Sequence, residues 1–249
     1  MVILFLKNTN IMNKLILFIF ILSSKFGYSQ NASTEHFWGT VPKYSEILDF
    51  SGKPIPIGDN GNINGSPLLQ EKWSLGLINF TNGVKHFDSS LNYSLYDDKL
   101  FLKKNDNTYP INLPVKEFSL LNSKDTAKIY LFQSGYPAIN DKNSLTFYEV
   151  LFAGNFLKLL KWEHKKIVEN SNYGSASQKE YSLINEYFVF MPKSNRMVDL
   201  GMRVNLNELR KTIPEYEKDI SSYISSHKLN TKKDEDLIQL FYFLDSGNR

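Results

Sequence analysis

Four patterns in the chain combine residue types that can do chemistry. Asn60-x-Asn62-x-Asn64-Gly65, with Glu71 six residues after the glycine, has the spacing of a calcium-binding loop, whose alternate oxygens and closing carboxylate surround the ion. The match is poor in charge. Asn60 stands where Asp is expected, Glu71 is its only carboxylate, Pro67 falls in its second half, and no helical pattern precedes it. It reads as a Gly/Asn-rich turn leading into a strand. His86 and Asp88, two apart on an expected strand, point to one side and supply two metal ligands at most, so a solvated strand face is the simpler account. Ser225 and Lys228 match S-x-x-K without the companion motifs of serine acyl-transfer enzymes. Glu149 and Asp88 are the carboxylates considered for hydrolysis of an envelope glycan or lipid, a reaction that needs two acids converging at a cleft.

The remaining chemistry is thinner. His36, His164 and His227 have no partner at metal-ligand spacing, and HExxH, G-x-S-x-G, the phosphate-binding loop and the dinucleotide fingerprint are all missing. The chain has no cysteine, which excludes a thiol nucleophile, a disulfide and a lipid-bearing cysteine after a leader. With 18 Phe, 14 Tyr and 3 Trp, the chain has rings enough for a sugar-stacking platform or an apolar pocket. Tyr109, Tyr130, Tyr136 and Tyr148 are the candidates to line such a cleft, and a β-sheet core is the plainer destination for them. Lys158, Lys161, Lys165 and Lys166 offer charge to an acidic partner, or simply keep a strand end soluble. No catalytic, cofactor-binding or metal-ligating residue is assigned on this basis, and no cofactor is implied.

The elements that position these residues begin with a leader. Met12-Asn13-Lys14 followed by the apolar run Leu15 to Leu22, with Gly27 and Ser29 as small residues at −3 and −1, predicts a signal peptide over 1–29 cleaved after Ser29. Translation from Met12 fits this grammar better than translation from Met1. The run is far shorter than the ~20 residues a bilayer span needs, so no integral membrane span is expected after cleavage. The leader holds Lys7, Lys14 and Lys25 and no acid, so the formal net charge of +3 falls to zero without it. A neutral mature surface gives no electrostatic reason to expect nucleic acid as a partner. The expected compartment is the periplasm, the cell surface or the medium, and the expected partner an envelope component.

Residues 30–66 are rich in Pro and Gly and read as an extended arm, docked through aromatics such as Phe37, Trp38 and Tyr44. Residues 67–203 carry strand signals at meander spacing. Leu75–Phe80 and Val84–Ser89 flank Asn82-Gly83, a pair suited to a type I′ turn. Further strands are expected at 108–112, 115–120 and 127–132. The longest run of strand formers, Leu145 to Val168, predicts a central hairpin turning at Gly154-Asn155, pairing Phe152 with Leu157, Val150 with Leu159 and Glu149 with Leu160. Its charged end, Lys161 to Lys166, is expected to run out past the sheet. After a polar loop at 170–179, Leu183–Met191 and Arg196–Leu200 form a last hairpin. Residues 204–249 change period to predict helices over Leu206–Ile213, then after Pro214 with Thr212 and Glu215 as a capping box, then from Thr231 to Gly247 with the stripe Leu237, Ile238, Phe241 and Leu244. The fold class expected is α+β: an antiparallel β-meander sheet, a sandwich or partly closed barrel, with a C-terminal helical cap.

The segments GSPLL followed by Trp73, LNYSLYDDKL, SGYPA followed by LTFYEVLFAGNFLKLLKW, and SSYISSHKLNTKKDEDLIQLFYFL resemble exported Bacteroidota proteins of unassigned function, over residues 65–249. These motifs are turns, core strands and a helix stripe. The resemblance implies a shared fold and carries over no functional residue. The function expected is a non-enzymatic binding or scaffolding module of the cell envelope. An envelope glycan or lipid hydrolase and a carrier of a small apolar ligand are the alternatives.

Overall fold

In the computed structural model, residues 63–170 and 178–247 are described. The expected leader, most of the arm and part of the loop at 170–179 lie outside them. The strands are β1 (Ile63–Asn64), β2 (Ser74–Phe80), β3 (Lys85–Ser94), β4 (Lys99–Lys104), β5 (Asn107–Pro110), β6 (Val115–Leu121), β7 (Ile129–Gln133), β8 (Tyr148–Ala153), β9 (Lys158–Asn170), β10 (Gln178–Met191) and β11 (Arg196–Gly201). The helices are α1 (Leu206–Thr212), α2 (Glu217–His227) and α3 (Asp234–Ser246), with a 3-10 turn at Pro214–Tyr216 before α2.

All eleven strands belong to one open sheet, in the order β1-β10-β9-β8-β7-β6-β2-β3-β4-β5, with β11 also on β10. The short β1 runs parallel to β10 and the other pairs are antiparallel. The expected sheet with a helical cap is therefore present, as one curled layer and not as a sandwich. Its curl is visible in contacts that skip strands. Tyr93 of β3 meets Phe132 of β7 at 5.0 Å between ring centroids, across β2 and β6. The Lys165 N–H of β9 donates to the Leu95 carbonyl at the end of β3 (3.0 Å), and the Lys165 ammonium donates to the carbonyls of Ser66 and Leu68.

Opposed antiparallel residues share a face, so the pairings sort the side chains into an inner and an outer set. On the inner face Ile78, Leu91, Tyr93, Leu102, Phe118 and Phe132 fill the curl. Further along that face Leu157, Leu159 and Val189 receive the helices through Leu209, Ile220, Leu237, Leu240, Phe241 and Leu244. The outer face carries a smaller core of Tyr136, Tyr148, Leu160 and Phe188.

Local chemistry explains most boundaries. Asn205 caps α1 by accepting from the Glu208 N–H, and Pro214, lacking a donor, prevents α1 from continuing. Thr212 is not the cap of the next helix: its hydroxyl donates to the Glu208 carbonyl one turn back. Three acids, Asp234, Glu235 and Asp236, open α3, where the helix dipole favours them. In the β2–β3 turn only Gly83 has positive φ (84°), so this is a three-residue turn closed by a left-handed glycine and not a type I′ turn, which needs two such residues. Asn105 and Asp106 do provide two, at 51° and 61°, between β4 and β5.

The central hairpin corrects its expected register. Its turn lies at Asn155-Phe156, with Gly154 N–H donating to the Leu157 carbonyl (2.9 Å), and a bulge at Leu151 then shifts the pairing so that Val150 faces Leu160 and Glu149 faces Lys161. Gly154 is required for space, not for a turn angle. A Cβ there would stand 2.3 Å from the Asp245 carboxyl carbon, because Asp245 accepts from the N–H groups of Asn155, Phe156 and Leu157 (3.0, 2.7 and 2.9 Å). The charged stretch does not leave the sheet: β9 pairs with β10 along its whole length. Gly154→Ala is expected to lower unfolding free energy by about 1–3 kcal/mol in urea titration, and by less in an Asp245→Ala background, because the clash partner is gone.

Candidate functional site

The bulge at Leu151 has a chemical product. With Glu149 opposite Lys161, and Lys161 opposite Tyr187 of β10, three functional groups share the inner face at the seam between its two cores. Glu163, two residues along β9, points the same way, and Asp234 arrives from the first turn of α3. The Lys161 Nζ lies 2.8 Å from Glu149 Oε2, 2.9 Å from Glu163 Oε1 and 2.9 Å from Asp234 Oδ2. The Tyr187 hydroxyl donates to Asp234 Oδ1 at 2.8 Å. The Lys161 side chain is 8% exposed, and Asp234, at 30%, is the member nearest water.

Burial works against the Lys161 charge, but Glu149 and Glu163 outweigh it and hold the ammonium well above its ordinary range. Burial also raises Glu149, with Lys161 pulling it back and Glu163 pushing the same way as burial. Tyr130 and Tyr187 are raised by burial and then by the surrounding carboxylates. With every acid ionised the cluster carries two negative charges in excess, which adds to the upward push on the Glu149 carboxyl. A lysine so firmly protonated is no base or nucleophile, and carboxylates engaged with it are not free to attack. The arrangement suits holding elements together better than turnover.

The other sequence candidates scatter. Asn60 and Asn62 lie outside the described residues, Asn64 sits in β1 beside Glu180, and Glu71 faces Lys124 at 3.5 Å, so this part of the loop is not gathered around an ion. His86 and Asp88 do share a face, 3.5 Å apart, but His86 is buried at 4% and not on a solvated face. Among the described residues no three His, Asp or Glu side chains are grouped to hold a metal. Asp88 is separated from Glu149 in the sheet by β2, β6 and β7. Ser225 is exposed on α2, and Lys228 ends that helix in the left-handed conformation. The four tyrosines divide, Tyr109 and Tyr130 against the core of the curl and Tyr136 and Tyr148 into the outer core, so they line no common cleft. Trp162 is not open for stacking either: His164 lies parallel to it at 4.9 Å and the Lys142 ammonium sits 4.0 Å from its ring centroid. Lys158, Lys161 and Lys165 turn into the structure, and Lys166 remains outside.

A second feature lies on the surface. On the side of β10 away from β9, β1 pairs only with Lys179 and Glu180, and β11 only with Tyr187 to Met191. Between them Ser182 to Glu186 has no strand beside it among the described residues. A depression of about 480 Å³ follows this edge, lined by Leu183, Ile184, Asn185, Met202 and Arg203. Leu183 is 49% and Met202 66% exposed. Sequence reading missed this notch because its walls come from parts of the chain brought together only by the sheet.

No family model, curated protein or solved structure matches the chain. No helix among the described residues is long and apolar enough to cross a membrane.

Two outcomes follow for the charged cluster. Lys161→Met leaves its carboxylates uncompensated and should cost about 3–5 kcal/mol near neutral pH by denaturant titration. Glu149 has a folded pKa above its ordinary 4.5, so its contribution to stability is complete below that value and is lost as pH rises through the raised one. Relative to Glu149→Gln, which cannot ionise, the native protein should therefore gain stability as pH falls from about 7 to about 4.5.

Proposed function

We propose that the chain is an exported, non-enzymatic binding or scaffolding module of the cell envelope, and that its contact face is the notch along β10. The observation that carries this reading is the pairing of a sheet edge that no strand accompanies among the described residues with exposed apolar side chains, Leu183 and Met202, at one place on the surface. Apolar groups beside a strand edge are a recurrent basis for protein association.

The carboxylate cluster gives the hydrolase alternative its single point of support, since Glu149 and Glu163 converge as such chemistry needs. Their engagement with Lys161 and their burial take that support away. The interior of the curl and the space under the helices are filled by leucine and aromatic side chains, which leaves the carrier alternative without a specific observation in its favour.

The test is photocrosslinking in the native host from residues placed singly at Leu183 and Met202, with Leu145, exposed at 75% outside the notch, as control. A discrete protein adduct from the first two positions and none from the control is expected. Adducts no different from the control would refute the binding reading at this face.

A further inference from the structure

Resting on that proposal, we infer that the notch takes one extended peptide segment of a partner protein as an added strand, and that the segment carries an acidic residue among apolar ones. The shape of the edge argues for a single strand. β1 and β11 each stand one strand width, about 4.8 Å, beyond the β10 edge and leave a recess from Ser182 to Glu186 of roughly 16 Å at 3.3 Å per residue. Two copies brought edge to edge would meet first at their β1 and β11 strands, with both recesses still apart. A lone extended segment fits where a flat sheet edge does not. Alternate residues of β10 in the recess direct backbone N–H and C=O groups outward, as at any strand edge, and supply the ladder.

The side chains say what the segment carries. Leu183 and Met202 present apolar surface that an aliphatic residue covers. Arg203, exposed on the same wall, takes part in none of the ion pairs found among the described residues and answers a carboxylate. Glu186 does not compete for Arg203, because it is held 2.8 Å from the Lys142 ammonium.

Two capped pentapeptides, valine at every position but the third, which is glutamate in one and lysine in the other, test this against the protein purified from its own host. Fluorescence anisotropy should show the glutamate peptide binding about tenfold more tightly, the size of effect that one charge reversal at an interface produces. Arg203→Glu should reverse the preference with the melting temperature unchanged, and amide exchange should slow at 182–186 when the peptide is added. The inference falls if neither peptide binds, if charge makes no difference, or if Arg203→Glu leaves the preference intact. It falls equally if 182–186 is already protected without peptide, by the chain's own N-terminal residues or by a second copy seen as a doubled native mass. Crosslinks from Leu183 with no peptide binding would remove this inference alone and leave the binding reading standing.

Discussion

One ammonium group among three carboxylates fixes how α3 meets the sheet. Apolar cores are non-directional, and the leucines on both sides of the seam would tolerate a helix shifted by part of a turn. Lys161 does not tolerate this, because Glu149, Glu163 and Asp234 each need to stay within hydrogen-bond reach of the same nitrogen. Such a buried cluster is a poor source of net stability, since desolvating four charges offsets most of their attraction. Its value is positional. It joins β8, β9 and α3 at one point, and Tyr187 adds β10 through the second oxygen of Asp234.

The same helix is pinned at its other end. Asp245, in the last turn of α3, accepts three backbone N–H groups at the tip of the β8–β9 hairpin. From Asp234 to Asp245 the helix rises about 16 Å at 1.5 Å per residue, and from Leu157 to Lys161 the strand advances about 13 Å, so the two anchors match in spacing only if helix and strand run side by side. Between them the stripe Leu237, Leu240, Phe241 and Leu244 seals the contact. Gly154 and the Leu151 bulge both serve this geometry, one by making room for a carboxylate and the other by turning Glu149 toward Lys161.

What the sequence revealed followed from local rules. Period-two alternation located the sheet strands, Pro214 separated two helices, and the α3 stripe showed its buried side except at Ile238, where Leu240 is the residue more fully enclosed. The register of the central hairpin was not legible, because a bulge leaves no distinct residue type behind: Leu151 is an ordinary strand former. Gly154 misled for a related reason. A glycine before an Asn suggests a turn angle, while its real constraint comes from Asp245, about ninety residues away in the chain. Lys161 read as strand-end charge because nothing local distinguishes a solvated lysine from one whose three partners arrive from elsewhere in the fold.

The two edges of the sheet are treated differently, and that difference bears on function. At one end β5 is short, closes on Pro110 and leaves little backbone for another chain to pair with, a common defence against edge-to-edge association. At the other end β10 is fourteen residues long, and protection by β1 and β11 covers its extremities while Ser182 to Glu186 stays bare of any described strand. Flanking a gap in this way admits a narrow partner and refuses a broad one. Leaving Leu183 and Met202 exposed at that gap works against solubility, as Phe87, Leu145 and Tyr242 do elsewhere on the surface, while most of the large apolar groups described fill three cores. A recessed stretch of edge with apolar side chains beside it is what a selective strand-binding site requires.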